Sequence, residues 1–535
     1  MTRRSLSTWT PVVVIVLLGC SDEFTNNPPL ALMIDTAGWR DTVMVGDQAV
    51  FGIRVSTAGG QSITGVQVTW ESDKPAKLEV LPLPAGGTTE DSLSAQLSAV
   101  VRAYARDSSV TITATVDRPG FERDVLSRRV VVMERWLSLG AGKSHTCGIV
   151  YNHEAYCWGN GQKGALGNGQ TTSDVPDKVL GLGDFEFESI SAGEENTCGI
   201  IIQRLAYCWG SGSLGRLGNG SQADRFFPTE VSLGRATLLM RAGATTCAIS
   251  TASEGFCWGN NALLQLGVPV SADTFDRCGS DECSLTPRGV RTASDAPFLF
   301  SSVDVGTSHV CGISKQPSST DRAFCWGSGT QEPLTLARVY LLGDTVFSSR
   351  TPRAVAPPLG ATVALAFRSI SAGDKHACGI TTAGVAYCWG WNGRGQLGTG
   401  LMTNEAFPKA TTGSLLFDSI TVGSTHSCAL SPSGNAYCWG ANDYGQLGVD
   451  SLSNTDVREP RPVLGNLTFA SLSAGYFHTC GITMLGAMYC WGRATDAQLG
   501  TEAPLRTCTV SGSPVPCSRV PLRVAEPRVL RAAGS

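Results

Sequence analysis

Two patterns of apolar residues follow one another along the chain. Between about Leu30 and Glu134 apolar and polar residues alternate in short runs, such as Ala49-Val50-Phe51-Gly52-Ile53-Arg54-Val55 and Val110-Thr111-Ile112-Thr113-Ala114-Thr115-Val116. A period of two predicts strands with one buried face. From Trp136 onward the pattern becomes a repeat: Cys-Trp-Gly recurs at Cys157, Cys208, Cys257, Cys325, Cys388, Cys438 and Cys490. The copies lie about 50 residues apart, stretched by inserted loops in the third and fourth, which is the size of a four-stranded propeller blade. The expected fold is all-β, a seven-bladed β-propeller preceded by a small β-sandwich.

Each copy has an upstream cysteine, Cys147, Cys198, Cys247, Cys311, Cys378, Cys428 and Cys480, ten residues before its partner in six copies and fourteen in the fourth. Between the two lie a strand, a turn and a strand. With the first turn centred on Asn152, Cys147 and Cys157 fall opposite each other, within reach of a cross-strand bridge. Zinc is the rival use of so many cysteines, but it favours tight Cys-x-x-Cys pairs, and none occurs. Two further pairs, Cys278 with Cys283 and Cys508 with Cys517, each read as a local bridge pinning an inserted loop. A loop of about ten residues closed in this way has an entropic ceiling of about 2.7 kcal/mol.

Composition agrees with strands and turns, since 62 glycines and 26 prolines accompany only 16% charged residues. Lys and Arg number 41 against 45 Asp and Glu, so the chain lacks the basic field that neutralises phosphates, and nucleic acid is not an expected partner. Arg3 and Arg4 precede an apolar run, Val12 to Leu18, and then Gly19-Cys20; this is the layout of an export signal, too short to span a bilayer. Leu17-Leu18-Gly19-Cys20 resembles the bacterial lipobox, which implies a lipidated Cys20, and Ser21 after it implies an outer-membrane destination in the cell envelope. Setting Cys20 aside, the remaining 18 of the 19 cysteines are even in number, in a compartment where disulfides persist. The expected organisation is a signal peptide over 1–19, a tether over 20–29, a sandwich over 30–134 and the propeller over 135–535.

Val45-Gly46-Asp47, Val68-Thr69-Trp70-Glu71-Ser72-Asp73 and Thr111 to Val116 resemble the bacterial Ig-like domains of surface proteins, which implies Trp70 as the core aromatic of a sandwich that acts as a spacer. The composite Ala-Gly-x-x-His-x-Cys-Gly-Ile, Tyr-Cys-Trp-Gly and Gly-Gln-Leu-Gly resembles the regulator of chromosome condensation repeat from Trp136 to the C-terminus. That resemblance implies seven blades, in the version found in exported bacterial proteins. Most copies also carry a Pro-x-x-Val element, such as Pro176 to Val179, placed for an outer strand where a missing donor is tolerated. The fourth copy departs, with Gly329-Thr330-Gln331-Glu332-Pro333 where Leu-Gly is expected. Either Trp136 to Gly142 or the end at Ala533-Gly534-Ser535 is expected to close the ring.

Candidate chemistry is sparse. Five histidines, His145, His309, His376, His426 and His478, stand two residues before the first cysteine, with Asn196 and Thr245 in the other copies. Such positions are spread around an axis with no recurring carboxylate, so structural imidazoles bonded to a nearby turn are expected and no metal. No nucleophile elbow or zincin motif occurs, Glu194-Glu195 and Asp281-Glu282 read as solvated loop charges, and neither catalysis nor a cofactor is expected. The second and fifth residues after each tryptophan vary within a constant frame, and loops on a rigid scaffold are where recognition lives. Trp391, Arg394 and Tyr444 form the best short patch, because aromatic and Arg side chains anchor interfaces. Phe275, near the Cys278–Cys283 loop, is a further candidate contact. The reading is a monomeric, envelope-anchored module that binds a protein or glycan through propeller loops. The alternative is an inhibitor resembling the exported propellers that block β-lactamases; a hydrolase or lyase ranks below both.

Overall fold

The structure is a computed structural model, and it describes residues 14–15, 30–33, 42–46, 48–52, 54–57, 67–82, 98–103, 107–117, 124–181, 183, 185–269, 275–317, 321–331, 338–449 and 455–528. Cys20 and the segment from Ala533 lie outside these residues. The chain divides into two compact units, Met1–Arg135 and Trp136–Ser535. Among the described residues no helix is long and apolar enough to cross a membrane.

In the first unit, strands Thr42–Met44, Asp124–Met133, Asp107–Asp117 and Gln67–Ser72 form one sheet in that order, and Gln48–Gly52, Ser98–Ala103 and Leu78–Pro82 form another. Val43, Trp70, Ile112, Val130 and Val132 of the first sheet share one core with Leu78, Ala99 and Val101 of the second. Alternation has done its work here: in Gln67–Ser72 only Trp70 is fully buried while its neighbours face outward.

Among its described residues the second unit contains seven antiparallel sheets of four or five strands, each built from strands near one another in sequence. Blade 1 is Trp136–Ala141, His145–Val150, Ala155–Asn160 and Thr172–Lys178, counted from the axis outward. Blades 2 to 7 begin at Phe187–Ala192, Thr237–Arg241, Phe300–Val305, Phe367–Ala372, Ser419–Val422 and Phe469–Ala474. The two cysteine-bearing insertions each fold back as a hairpin that adds a fifth strand, Asp276–Cys278 to blade 3 and Arg506–Val510 to blade 7.

All nine expected bridges are present. In blade 1 the register sets Cys147 directly opposite Cys157, at a Cα–Cα distance of 4.1 Å. The adjoining tryptophans, from Trp158 to Trp491, are fully buried between blades. Each outer strand slips register at its proline; between the pairs Cys157↔Asp177 and Gly159↔Ser173 lies a bulge holding Pro176, where no ladder donor is required.

Two glycines of the repeat are there for conformation. Gly159, after Trp158, has φ +101°, and a Cβ on it would come within 2.6 Å of Ser144 O. Gly167, of the Leu-Gly element, has φ +69° and lies against Trp209 of the next blade, whose Nε1 a Cβ would meet at 2.7 Å. Its loop matters because the carbonyl of Ala165 accepts the Trp209 indole N–H at 2.9 Å, and the same blade-to-blade bond recurs from Trp258, Trp326, Trp389, Trp439 and Trp158. In blade 4 the acceptor is Leu341 O, followed by buried Leu342 and by Gly343 at φ +77°. The Leu-Gly element expected to be missing from the fourth copy is therefore present, displaced by an insertion that carries the short strands Thr330–Gln331 and Arg338–Val339.

The ring closes without exchanging a strand. Trp136–Ala141 is the inner strand of blade 1, and it meets blade 7 through Ala141 N on Ser473 Oγ at 3.0 Å and through Trp158 Nε1 on Gln498 O at 3.0 Å. The descending chain then returns to blade 1, where Arg528 N donates to Pro176 O at 2.9 Å and its guanidinium pairs with Asp174 and Asp177.

Candidate functional site

Because the four strands of a blade alternate in direction, two of its connections emerge on each face. One face carries the turns before each buried histidine position together with the glycine-rich loops after each Cys-Trp-Gly. The other carries the hairpin turns between the disulfide-linked strands and the links to the next blade.

The first face concentrates aromatic rings and cations. Tyr444, on the blade 6 loop, packs on Phe477 of blade 7 with centroids 5.2 Å apart, and Arg493 lies over both rings at 5.8 and 5.7 Å. Lys375 stands 5.2 Å over the Trp391 ring, and Lys143 stands 5.3 Å over Tyr476. Each is a cation–π contact of about 0.5–1 kcal/mol, enough to hold the rings in place while leaving their edges partly exposed. The opposite face exposes aliphatic tips, among them Leu205, Met484 and Leu485, together with the Tyr151 ring.

Arg394 is not a loose anchor. Its guanidinium makes a two-armed bond to Asp456 and reaches both oxygens of Asp443 at 2.8 Å, tying the blade 5 loop to blade 6. These carboxylates hold the guanidinium even more firmly protonated than usual. Trp391 and Arg394 thus belong to one loop, while Tyr444 sits one residue beyond Asp443; the three are joined through Arg394 rather than set side by side. Phe275 is packed against the core cluster that contains Val268, Val290 and Trp326, which removes most of its surface from contact.

Two other expectations are corrected. Four of the five histidines bond to the next blade and not to a nearby turn: His145 Nε2 meets Thr197 Oγ1 at 2.8 Å, His376 meets Ser427 at 2.9 Å, His426 meets Thr479 at 2.9 Å and His478 meets Thr146 at 2.8 Å. Glu194 is not a solvated charge, since it accepts the Tyr476 hydroxyl across the axis, and Glu282 pairs with Arg350 at 3.6 Å. Tyr476 also meets Thr307 Oγ1 at 3.2 Å, so a blade 7 side chain bars the mouth of the central channel between blades 2 and 4. Burial beside Glu194 drives its phenol pKa upward and keeps it protonated. Neither Tyr476 nor Phe477 was singled out from sequence, although their position varies from blade to blade as freely as the loop positions that were. Among the described residues no group of three or more His, Cys, Asp or Glu side chains is arranged to hold a metal ion.

Residues 136–165, 367–396, 417–446 and 469–498 match one form of the Regulator of chromosome condensation (RCC1) repeat, and 152–200, 205–249, 383–430 and 433–482 match another. Ultraviolet-B receptor UVR8 of Arabidopsis thaliana is 28% identical over 368 residues, covering 68% of this chain and 78% of that protein. Probable E3 ubiquitin-protein ligase HERC4 of Homo sapiens is 33% identical over 245 residues, 45% of this chain but only 21% of the ligase. Among solved structures, Prp20p from Saccharomyces cerevisiae aligns with a TM-score of 0.56 at 19% identity, over 74% of this chain and 88% of that one. Human WBSCR16 aligns with a TM-score of 0.54 at 17% identity, over 78% and 99%. At such identities the structural likeness speaks for the fold alone.

Proposed function

The ring of blades is a propeller of regulator of chromosome condensation repeats, and from that premise we propose that this chain is a non-catalytic recognition module that binds a protein or glycan through the loop face bearing Trp391, Tyr444, Phe477 and Arg493. The relatives bearing such repeats include a receptor, and the structure of Prp20p is described together with its binding to Gsp1p and histones. For this chain the carrying observation is the contrast between frame and loops: disulfides, tryptophans and seam bonds repeat around the ring, while three ring-and-cation pairs share one loop face over blades 5 to 7. A rigid display of aromatic side chains lowers the ordering cost of binding. In this reading the chain is exported and anchored by lipid at Cys20 in the outer membrane, and the first unit is an Ig-like spacer.

Recovery of partners from native envelope extracts with the soluble part, compared with a Trp391→Ala/Tyr444→Ala/Phe477→Ala variant, tests the recognition claim. Loss of a partner with the variant is expected; equal recovery of every partner removes the face. Incorporation of labelled fatty acid into the full chain, abolished by Cys20→Ser, tests the anchor.

A further inference from the structure

The central channel encloses about 490 Å³, bounded by the inner strands of all seven blades. Its lining includes a ring of equivalent positions: Gly140, Ser191, Arg241, Asp304, Ser371, Thr421 and Ser473, each two residues before the glycine that ends its strand motif. Five of these side chains staple the seam by accepting a backbone N–H from the next blade. Ser191 accepts Ala242 N at 3.0 Å, Asp304 accepts Ala372 N at 3.0 Å, Ser371 accepts Val422 N at 3.1 Å, Thr421 accepts Ala474 N at 3.0 Å and Ser473 accepts Ala141 N at 3.0 Å.

Blades 1 and 3 break the rule, and both breaks leave donors. By the same register Ala192 and Val305 direct their N–H groups at Gly140 and Arg241, neither of which has a side-chain oxygen to offer; the vacant Cβ position of Gly140 lies 2.7 Å from Ala192 N. The hydroxyls of Ser191, Thr421 and Ser473 use a lone pair in the seam and keep their own protons to donate. Arg241 spends Nε on Asp304 at 3.3 Å and Nη1 on Met240 O at 3.2 Å, and its side chain remains 41% exposed with Nη2 toward no described partner. Asp304, the one anion of the ring, is engaged by Ser371 Oγ at 2.7 Å, Ala372 N and Arg241. At the barred mouth Glu194 is held by Tyr476 and stands 4.0 Å from Arg216, and Asp374 accepts Ser424 Oγ at 3.3 Å.

We propose that this donor-rich annulus is a binding site for a small organic molecule bearing an oxyanion, seated in the channel with its charged group on Arg241. Convergent N–H, O–H and guanidinium donors on this ring, whose one carboxylate is already bonded and whose other lining carboxylates stand at the barred mouth, select an anion. The enclosed space is in the range that accommodates an organic body and not just a bare ion. This site is independent of the loop face and stands or falls separately from it.

The test is calorimetric titration of the oxidised full chain with citrate and, in a separate arm, with inorganic phosphate. Saturable binding at one site by either probe is expected, and which probe binds distinguishes a carboxylate from a phosphate source. Arg241→Ser installs the residue that blades 2, 5 and 7 already use, giving Val305 N an acceptor while removing the cation. It is expected to keep the melting midpoint and weaken binding at least tenfold. Asp304→Ser, which keeps the seam bond and frees Arg241, is expected to tighten binding several-fold. Absence of binding by both probes at millimolar concentration overturns the site, as does equal affinity of Arg241→Ser. Should Arg241→Ser melt early, Asp304→Ser decides alone, and unchanged or weaker binding there overturns it.

Discussion

His478 in the last blade hydrogen bonds through Nε2 to Thr146 Oγ1 in the first, at 2.8 Å, and the single Thr146 proton goes to Gln498 O at 2.9 Å. Since the hydroxyl has no second proton to give, the imidazole must be the donor, protonated on Nε2, and burial with no described partner at Nδ1 keeps it neutral. The same chain runs from His145 through Thr197 to Ala165 O, from His376 through Ser427 to Gln396 O, and from His426 through Thr479 to Gln446 O. Four consecutive seams are latched in this way. The three around blades 3 and 4 are not, because Asn196 and Thr245 replace histidine in blades 2 and 3, and Ala377 faces His309.

Acid should loosen the ring well above the carboxylate range. Burial pushes His145 and His309 down to about 4 and His376, His426 and His478 down to about 3, below their ordinary value. A depressed folded-state pKa leaves the unfolded chain binding more protons below pH 6.5, so this stability is complete above pH 6.5 and is lost as pH falls toward 4 and 3. Each histidine contributes a slope of at most about 1.4 kcal/mol per pH unit, approached where the unfolded imidazole is charged and the folded one neutral. Denaturant midpoints measured between pH 6.5 and 5, before carboxylates titrate, should fall steeply; a flat profile contradicts buried neutral imidazoles.

His309 is the seam's missing bond. Both its ring nitrogens are buried without a partner among the described residues, and Ala377 occupies the place of the hydroxyl. Ala377→Ser supplies a bridge from His309 to Leu341 O and is expected to stabilise by about 1 kcal/mol, whereas Thr479→Ala, which breaks an existing bridge, costs about 1–3 kcal/mol. Equilibrium unfolding of the two variants checks the opposite signs.

Arg394 predicts a stability effect distinct from recognition. Arg394→Ala leaves Asp443 and Asp456 facing each other without their cation, and with Arg394 about a third exposed the expected loss is about 1 kcal/mol, shrinking in high salt. Thermal melts at low and high salt measure it.

Removing one blade's bridge with Cys428→Ala/Cys438→Ala should cost no more than about 2.7 kcal/mol from loop entropy, plus a packing loss because both sulfurs are fully buried. Peptide mapping without reduction should recover Cys147 linked to Cys157 and the other pairs within their own blades; links between blades contradict the register.

The repeat was readable because one blade's strands are neighbours in sequence: Cys147 and Cys157 face each other across a turn that local pattern alone locates. What escaped notice joins residues far apart. His145 and Thr197 are 52 positions apart and Glu194 and Tyr476 are 282, so no local period reports their contact. A signal did exist, since a hydroxyl follows the histidine position in His145-Thr146, Asn196-Thr197, His426-Ser427 and His478-Thr479, as a latch to the preceding blade requires. The displaced Leu342-Gly343 was missed for another reason: a fixed offset from Trp326 fails once an insertion intervenes, while the buried leucine and the left-handed glycine still mark the element.

Site-specific photo-cross-linking tests most directly whether recognition belongs to the aromatic loop face. With benzoylphenylalanine placed at Tyr444 or Phe477 the protein should capture a partner in envelope extracts, and with the same group at Leu205 or Leu485 on the opposite face it should not. Capture from Leu205 or Leu485 with none from Tyr444 or Phe477 would contradict the account.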